Sequence, residues 1–342
     1  MRTSLRRRVA AWRRVAIGAC LLGLVACTGK ADGPKGDAGA FRVGLVTPGS
    51  ITDAAWNSGA YRGLEGVRDS LGAKVSHVEA TTPAAQEEAL RTYAAQGYPL
   101  VFAHGYEFQQ AAERVSAEYP KTVFVVTSGS RAAGNVAPLI FRLEEASYLA
   151  GLVSGALTKS NLIGFIGGVE LPPVKAAYEG WVNGARAINP KVQARVTYLN
   201  NWDDVAAARE AALALMRVGV DVFHHNADAA ALGLFQAAKE TPGITVVGAN
   251  ADQASLAPDR VVGSAVIDLP RAFLLVAREV QAGTFTPHVI ADGLASGVVR
   301  YEPNPAYPHA LPAGLDVRLA AAADSIRAGT LVPAERPKEM AQ

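Results

Sequence analysis

Short apolar runs rich in β-branched residues alternate with longer amphipathic stretches from residue 41 onward. The pattern predicts strands at 42–46, 75–78, 100–103 and 122–127, and helices at 54–71, 83–96 and 108–118. Gly72, just beyond the first helix, is a typical helix stop. Strand–helix alternation of this kind predicts right-handed βαβ units on a parallel sheet.

The same order of elements returns in the second half of the chain. Strands are predicted at 161–168, 192–198, 221–224 and 244–248, and helices at 174–187, 205–218 and 232–240. Three pairs of strand positions, 120 to 122 residues apart, mark the repeat: Val43 and Ile163, Val101 and Val222, Val123 and Thr245. A generic α/β chain could show a similar recurrence, so the prediction of two duplicated lobes rests on order and spacing.

Two similar lobes would place the carboxyl ends of two parallel sheets opposite each other. Ligands of open α/β sheets bind outside those ends, and a cleft between lobes can close around a ligand by a hinge. The pattern therefore predicts a two-lobed protein that binds a small solute in its cleft.

The first residues indicate an export signal rather than a membrane span. Six arginines and no acidic residue precede a short apolar run at 15–26. This run is too short to cross about 30 Å of hydrocarbon as a helix. The run ends in Leu-Val-Ala-Cys27, which resembles the lipobox of bacterial lipoproteins, whose cysteine is lipidated. We expect a signal peptide at 1–26, lipidation of Cys27 and a flexible, glycine-rich tether at 27–40. An ordinary signal peptide that happens to contain Cys27 is the alternative.

Export would leave a mildly acidic body held by lipid at the outer face of the cell membrane or at a periplasm-facing membrane. Six of the 33 Lys and Arg residues but none of the 31 acidic residues precede Cys27, so the mature chain carries a net charge of −4. No basic stripe suggests nucleic acid as a partner. With only Cys20 and Cys27 in the chain, the fold has to be stabilised by its core rather than by disulfides.

Polar and aromatic residues follow the predicted strands where the two sheets would face each other. The candidates for ligand contact are Asp53, Trp56, Asn57, His104, Phe108, Ser128, His224, Asn226, Asp228 and Asn250. Trp56 could stack on a heteroaromatic ring, and Asn57 offers both a donor and an acceptor. Structural alternatives remain open: Trp56 could pack into its own lobe, Asp53 could cap a helix, and Phe108 could begin the core face of the next helix.

The densest cluster of polar residues is His224-His225-Asn226-Ala227-Asp228. Successive strand residues point to opposite faces, so His224 and His225 cannot both face one ligand. This argues against a metal site, which needs convergent ligands. A hydrogen-bonding role for one histidine with Asn226 or Asp228 competes with capping of the next helix by Asp228.

No catalytic chemistry is indicated by the motifs. The chain has no Gly-x-Ser-x-Gly elbow, and 164–168 lacks a complete dinucleotide fingerprint. A hydrolase that uses His224 or His225 with Asp228 is the weakest hypothesis. We therefore predict no catalytic residue, no cofactor and no metal.

Seven segments between residues 41 and 301 carry a family resemblance. They are DAAWNSGAY at 53–61, FRLEEASYLAG at 141–151, IGFIGG at 163–168, PPV at 172–174, NP at 189–190, WDD at 202–204 and NADQ at 250–253. Together they resemble the basic membrane protein family, the purine-nucleoside-type substrate-binding lipoproteins of ABC importers. The resemblance implies an exported monomer that binds a solute of the nucleoside or nucleobase class and delivers it to an ABC permease.

The fold implied by this resemblance is the type I periplasmic-binding fold, an α/β architecture of two Rossmann-like lobes with parallel sheets joined by a three-strand hinge. The chain should cross between lobes near 141–145, 266–269 and 291–297. Lobe 1 is then expected at 41–143 plus about 268–295, and lobe 2 at 144–267 plus about 296–330. Residues 331–342 are expected to form a polar tail.

Four positions depart from the family pattern. Ser128 stands where the family has a base-reading Asp, Asn250 where it has an Asp for sugar hydroxyls, and His224 where it has a second stacking Phe. Ile267 and Asp268 stand near a position where the family commonly has Lys. A free nucleobase or another small ring solute is therefore an alternative ligand, and a tethered sensor is an alternative use of the same fold.

Overall fold

Two six-stranded β-sheets, each covered by helices on both faces, form the part of the chain that the structure describes. A computed structural model describes residues 40–53 and 55–335. The predicted signal peptide at 1–26, Cys27, the tether up to residue 39 and residues 336–342 of the predicted tail lie outside the described residues. Within the described ranges, no helix has the length and apolar character needed to span a membrane.

The first lobe is built on a fully parallel sheet. Its elements are β1 (Arg42–Thr47), α1 (Trp56–Leu71), β2 (Lys74–Glu79), α2 (Pro83–Ala95), β3 (Leu100–His104), α3 (Gln109–Ser116), β4 (Val123–Thr127), β5 (Val136–Phe141), α8 (Leu269–Gln281) and β11 (Ile290–Asp292). The strand order is β11-β5-β4-β3-β1-β2. Helices α1 and α8 pack on one face of this sheet, and α2 and α3 on the other.

The second lobe repeats this order with one antiparallel edge strand. Its elements are α4 (Leu143–Leu157), β6 (Leu162–Gly167), α5 (Pro172–Ile188), β7 (Gln193–Tyr198), α6 (Val205–Arg217), β8 (Val222–Asn226), α7 (Leu232–Glu240), β9 (Thr245–Asn250), β10 (Val261–Ile267), β12 (Val299–Pro303) and α9 (Leu315–Arg327). The strand order is β12-β10-β9-β8-β6-β7, and β12 runs antiparallel to β10. Beyond α9, Pro333 and Ala334 are buried, and the Pro333 carbonyl accepts a hydrogen bond from Asn183. The beginning of the predicted polar tail is therefore packed against this lobe.

The chain passes between the two lobes three times, and the three crossing segments lie side by side. They lie between β5 and α4, between β10 and α8, and between β11 and β12. Arg142 N–H donates to the carbonyl of Asp292, and Asp268 N–H donates to the carbonyl of Val298, each at 2.7 Å. Backbone hydrogen bonds thus tie the three crossings into one hinge, as the family resemblance implied.

Equivalent strands of the two sheets pair in the same register, and this register corrects one of the residue pairs predicted to correspond between the lobes. In the first lobe Val43 lies opposite Leu100, which lies opposite Val123. In the second lobe Ile163 lies opposite Val222, which lies opposite Thr245. Leu100 therefore corresponds to Val222, and the pairing of Val101 with Val222 is wrong by one residue. Because a one-residue shift moves a strand side chain to the other face of the sheet, the corrected pair is also the one that keeps equivalent side chains on equivalent faces.

Local capping explains where several helices begin. Thr82 Oγ1 accepts a hydrogen bond from Ala85 N–H, and Pro83 is the first residue of α2. Asp204 accepts from Ala207 N–H at 2.9 Å at the start of α6. Both arrangements satisfy amides that have no partner inside the helix, so these helices begin at their predicted residues.

Candidate ligand-binding cleft

A cavity of about 770 Å³, counting the part open to solvent, lies between the two lobes. Its walls are loops and helix starts that follow the carboxyl ends of strands in both sheets. The first lobe contributes Pro48, Gly49, Trp56, Asn57, Gly105, Tyr106, Glu107, Ser128 and Phe141; the second contributes Leu143, Leu171, Pro173, Val174, Trp202, Asp203, Asn226, Asp228, Asn250 and Ile267. Cavities of this size and location typically bind small organic ligands.

The structure divides the ten predicted contact residues into two groups. Six line the cavity: Trp56, Asn57, Ser128, Asn226, Asp228 and Asn250. The other four are absent from its lining and lie in the protein behind it: Asp53, His104, Phe108 and His224. The cleft wall therefore includes the start of α1 and the carboxyl ends of β4, β8 and β9. The other four predicted residues lie behind this wall.

Asp53 organises the start of helix α1. Its carboxylate accepts hydrogen bonds from the backbone N–H groups of Ala55 (3.1 Å), Asn57 (2.6 Å) and Ser58 (2.9 Å), and the residue is 5% exposed. An acidic group at this place also interacts favourably with the helix dipole. The structure thus shows Asp53 in its capping alternative, which holds Trp56 and Asn57 at the cleft wall.

His104 lies directly behind Trp56. The two rings stack at 4.1 Å between centroids with an angle of 26° between their planes. His104 Nε2 donates to the Trp56 carbonyl at 3.2 Å, so its Nδ1 accepts from Thr127 Oγ1 at 2.9 Å. Burial lowers the pKa of His104 to about 3, which keeps the ring neutral. His104 therefore positions the indole rather than pointing into the cavity as predicted.

Phe108 and His224 belong to the interior of their lobes. Phe108 is fully buried in the cluster beneath α2 and α3, which corresponds to its core alternative. His224 is also fully buried, donates from Nδ1 to the carbonyl of Val247 at 3.2 Å, and lies 3.2 Å from Ser147 Oγ through Nε2. Its predicted role as a ligand contact does not agree with this placement, because its side chain lies beneath α4 and α5, beside Ser147 and Trp181.

His225 points to the opposite face from His224, as the strand alternation predicts. Its Nε2 lies 2.8 Å from Gln253 Oε1, and its ring meets Phe235 edge-on. Burial lowers the pKa of His225 to about 4, and burial followed by the charge of His225 lowers the pKa of His224 to about 3. The two rings are therefore neutral core residues on separate faces.

Asn226, Asp228 and Asn250 form a hydrogen-bonded group at the carboxyl ends of β8 and β9. Asn250 Nδ2 donates to Asn226 Oδ1 at 3.3 Å and to Asp228 Oδ1 at 3.2 Å. Burial, followed by the negative charge of Asp53, raises the pKa of Asp228 well above its usual range. The group presents amides and a carboxyl to the cavity, and its members orient one another.

Three residues that line the cavity adopt left-handed backbone conformations. The φ angles are 55° at Ser128, 44° at Asp228 and 65° at Asn250. The register offset of 122 residues makes Ser128 and Asn250 equivalent in the two lobes. Left-handed backbone costs a non-glycine residue about 1 kcal/mol or more, and such strain is concentrated at functional sites.

Sequence reasoning missed several side chains of the cleft, among them Tyr106, Glu107, Trp202 and Asp203. Trp202 comes from the loop before α6 in the second lobe and thus faces the cleft that Trp56 lines from the first lobe. A Cβ at Gly168 would lie 2.1 Å from the Trp202 ring, so glycine at 168 is what lets the indole reach this place. The signal available in the sequence was the Trp-Asp-Asp segment, whose last residue, Asp204, caps α6.

Comparison with known proteins agrees with this geometry. The family model for "Bmp: ABC transporter substrate-binding protein PnrA-like" matches residues 40–323. Basic membrane protein A2 of Borrelia garinii is similar at 28% identity over 293 residues, which are 84% of this chain and 86% of that protein.

Two solved structures of ABC transporter solute-binding proteins share the fold. The protein from Aeropyrum pernix K1 superposes with a TM-score of 0.77 at 20% identity, covering 85% of this chain and 92% of that one. The protein from Conexibacter woesei superposes with a TM-score of 0.71 at 26% identity, covering 88% of this chain and 100% of that one. The predicted type I periplasmic-binding fold with two parallel-sheet lobes is confirmed.

Proposed function

Because the chain belongs to the family of PnrA-like ABC transporter substrate-binding proteins, as its motifs predicted, we propose that it captures a nucleoside-like small molecule in the interlobe cleft and delivers it to a membrane permease. The observation that carries the proposal is that Trp56 from one lobe and Trp202 from the other both line the cavity, together with amide and carboxyl groups at the strand ends. Indoles stack on planar heteroaromatic rings, and amides read ring and sugar edges.

Capture requires no covalent step. A ligand that touches both lobes stabilises the closed arrangement, because only that arrangement makes both sets of contacts. The three hydrogen-bonded crossings provide the hinge for this closure. The permease then distinguishes the closed, loaded protein from the open one, and a single copy of the chain suffices.

The solute class is tested by a thermal-shift titration of the purified protein with purine and pyrimidine nucleosides, their free bases and ribose. A ligand at 100 times its Kd stabilises the native state by about 2.7 kcal/mol, which raises the unfolding midpoint by several degrees. Shifts with nucleosides and not with bases support a nucleoside ligand, and shifts with bases alone support the nucleobase alternative. A folded protein that responds to no ring solute contradicts the proposal.

Matched variants show whether the cleft is responsible for any shift. Trp56→Ala and Trp202→Ala should each lower affinity by about 10- to 100-fold, the equivalent of about 1–3 kcal/mol for one stacked ring. Val317→Ala removes an exposed apolar side chain of α9 that is not part of the cavity lining and serves as the control. Equal affinity of all three variants would contradict the assignment of the site.

Membrane attachment through Cys27 is the second part of the proposal. In cells fed labelled palmitate, the wild-type protein should incorporate label and sediment with membranes, and Cys27→Ser should do neither. Cys20→Ser, a change within the predicted signal peptide, is the matched control and should keep both properties. Labelling that survives Cys27→Ser would contradict the lipid anchor.

A further inference from the structure

Every ionisable side chain that lines the cavity is acidic or phenolic. Glu107 of the first lobe and Asp203 and Asp228 of the second carry the carboxyls, and the described lining contains no lysine, arginine or histidine. Asp53 lies behind this wall, close enough for its charge to act on Asp228. An anionic ligand would meet three carboxyl groups and no cationic side chain of the described lining.

Asn57 gives an independent indication of what the ligand must offer. The residue lines the cavity and is 6% exposed, and its Oδ1 is buried without a hydrogen-bond partner. A buried acceptor without a donor is costly. The carboxyl oxygens of the lining can also accept hydrogen bonds. The polar acceptors at the cleft wall therefore favour a ligand that carries hydrogen-bond donors.

The two indoles supply a third element of the same chemistry. Trp56 and Trp202 line the cavity from opposite lobes, and the indole is the aromatic side chain whose face attracts cations most strongly. Stacking and cation–π attraction can act together on a planar ring that bears a positive charge.

We propose that the solute is a heteroaromatic ring compound with a positive charge, such as an N-substituted pyridinium or an N-methylated purine, held between Trp56 and Trp202 with its charge facing Glu107, Asp203 and Asp228. This inference rests on the proposed function and names the class of solute within it.

A cationic ligand would favour the ionised form of the cleft carboxyls. Burial raises the pKa of Glu107, and burial, followed by the charges of Asp53, Glu107 and Asp203, raises the pKa of Asp228, so the loss of water already disfavours the ionised form of both groups. Closure removes more water from them, and a cation reverses that penalty. No group of three or more His, Cys, Asp or Glu side chains in the described residues is placed to hold a metal ion, so an organic cation matches the charge better than a metal.

The test is isothermal titration calorimetry of the full-length protein with matched pairs of neutral and cationic solutes. The pairs are nicotinamide riboside with its reduced dihydro form, N1-methylnicotinamide with nicotinamide, and 1-methyladenosine with adenosine. The cationic member of at least one pair should bind tenfold or more tightly than its neutral partner, a difference of about 1.4 kcal/mol.

Charge variants test whether the cleft carboxyls cause that preference. Asp203→Asn and Glu107→Gln should each reduce the ratio of the two affinities severalfold, and added salt should reduce it further. Glu210→Gln neutralises an acidic side chain of α6 that is 70% exposed and not part of the cavity lining, and it should leave the ratio unchanged.

The outcomes separate this proposal from the function on which it rests. If the neutral members bind as tightly as the cationic ones or more tightly, the charge proposal is overturned and the ring-solute function stands. If the folded protein binds no member of any pair and no neutral nucleoside or base, both are overturned. A tenfold preference that persists unchanged in both cleft variants overturns the assignment of Glu107 and Asp203.

Discussion

Helices α4 and α5 approach so closely that one added methyl group should force them apart. Gly151 and Gly155 of α4 and Gly180 and Gly184 of α5 lie where the two backbones meet. A Cβ built at Gly184 would lie 2.0 Å from the carbonyl oxygen of Tyr148, a backbone atom of the facing helix. Gly184→Ala is therefore expected to be strongly destabilising.

The magnitude follows from the separation that the methyl group requires. Ordinary van der Waals contact begins at 3.4 Å, so the helices must move apart by about 1 Å or more. Overpacking in a well-packed core costs about 1–3 kcal/mol. Because backbone faces backbone at Gly184 and no side chain can rotate away, we expect a loss of about 3 kcal/mol in the free energy of unfolding.

Gly66→Ala is the matched control because it makes the same chemical change in a helix with open space. No atom lies within 4 Å of a Cβ built at Gly66 in α1. Alanine is the better helix former by about 0.5–1 kcal/mol, so this variant should be more stable than the wild type.

Urea unfolding followed by circular dichroism measures both variants. The midpoint should fall for Gly184→Ala and rise slightly for Gly66→Ala, with similar slopes. Helix α4 begins at Leu143 and α5 contains Val174, and both residues line the cleft, so Gly184→Ala should also weaken solute binding while the protein is still folded. A Gly184→Ala variant as stable as Gly66→Ala would refute the close helix contact.

Three further predictions concern residues behind the cleft wall. Asp53→Ala removes the acceptor of three backbone amides at the start of α1 and should cost about 1–2 kcal/mol in urea unfolding, whereas Asp53→Asn should cost less. In the folded protein the pKa values of His104, His224 and His225 lie at about 3, 3 and 4. The unfolded chain therefore binds more protons as the pH falls below about 6.5, and the free energy of unfolding should fall by up to about 1.4 kcal/mol per pH unit for each ring. His225→Gln should make this decline between pH 6.5 and 4 shallower, and an unchanged slope would contradict the prediction. Gly168→Ala places a methyl group against the Trp202 ring, so it should weaken solute binding about as much as Trp202→Ala, with no further loss in the double variant.

The alternation of strands and helices could be predicted for most elements of the two repeats. Helix α7 was predicted at 232–240, where the structure has it, and α2 and α6 begin at their predicted residues. The stretch from β5 through α4 carries no such pattern, because β5 is entirely buried and α4 nearly so. An element that is apolar on all sides has no period by which a helix can be separated from a strand.

The position of the cleft could be predicted from the sequence, but only some of the residues that line it. Strand ends pointed to Asn226, Asp228 and Asn250, since every strand of a parallel sheet brings its carboxyl end to the same edge. Whether a side chain lines the cleft or lies behind its wall could not be predicted in this way. His104 ends β3 and Trp56 follows the neighbouring strand β1, and only the packing shows that the histidine supports the indole.

The sequence by itself determined the local chemistry of this protein: where most strands and helices of the repeat lie, and which polar groups end the strands. These depend on neighbours within a few positions, so periodicity and residue type suffice. The tertiary structure alone decided that Trp56 and Trp202 line one cavity, that three carboxyls and no cationic side chain belong to its described lining, and that Asn57 Oδ1 has no partner. Each of these is a relation between segments that are distant along the chain, and such relations arise only when two lobes pack across a hinge.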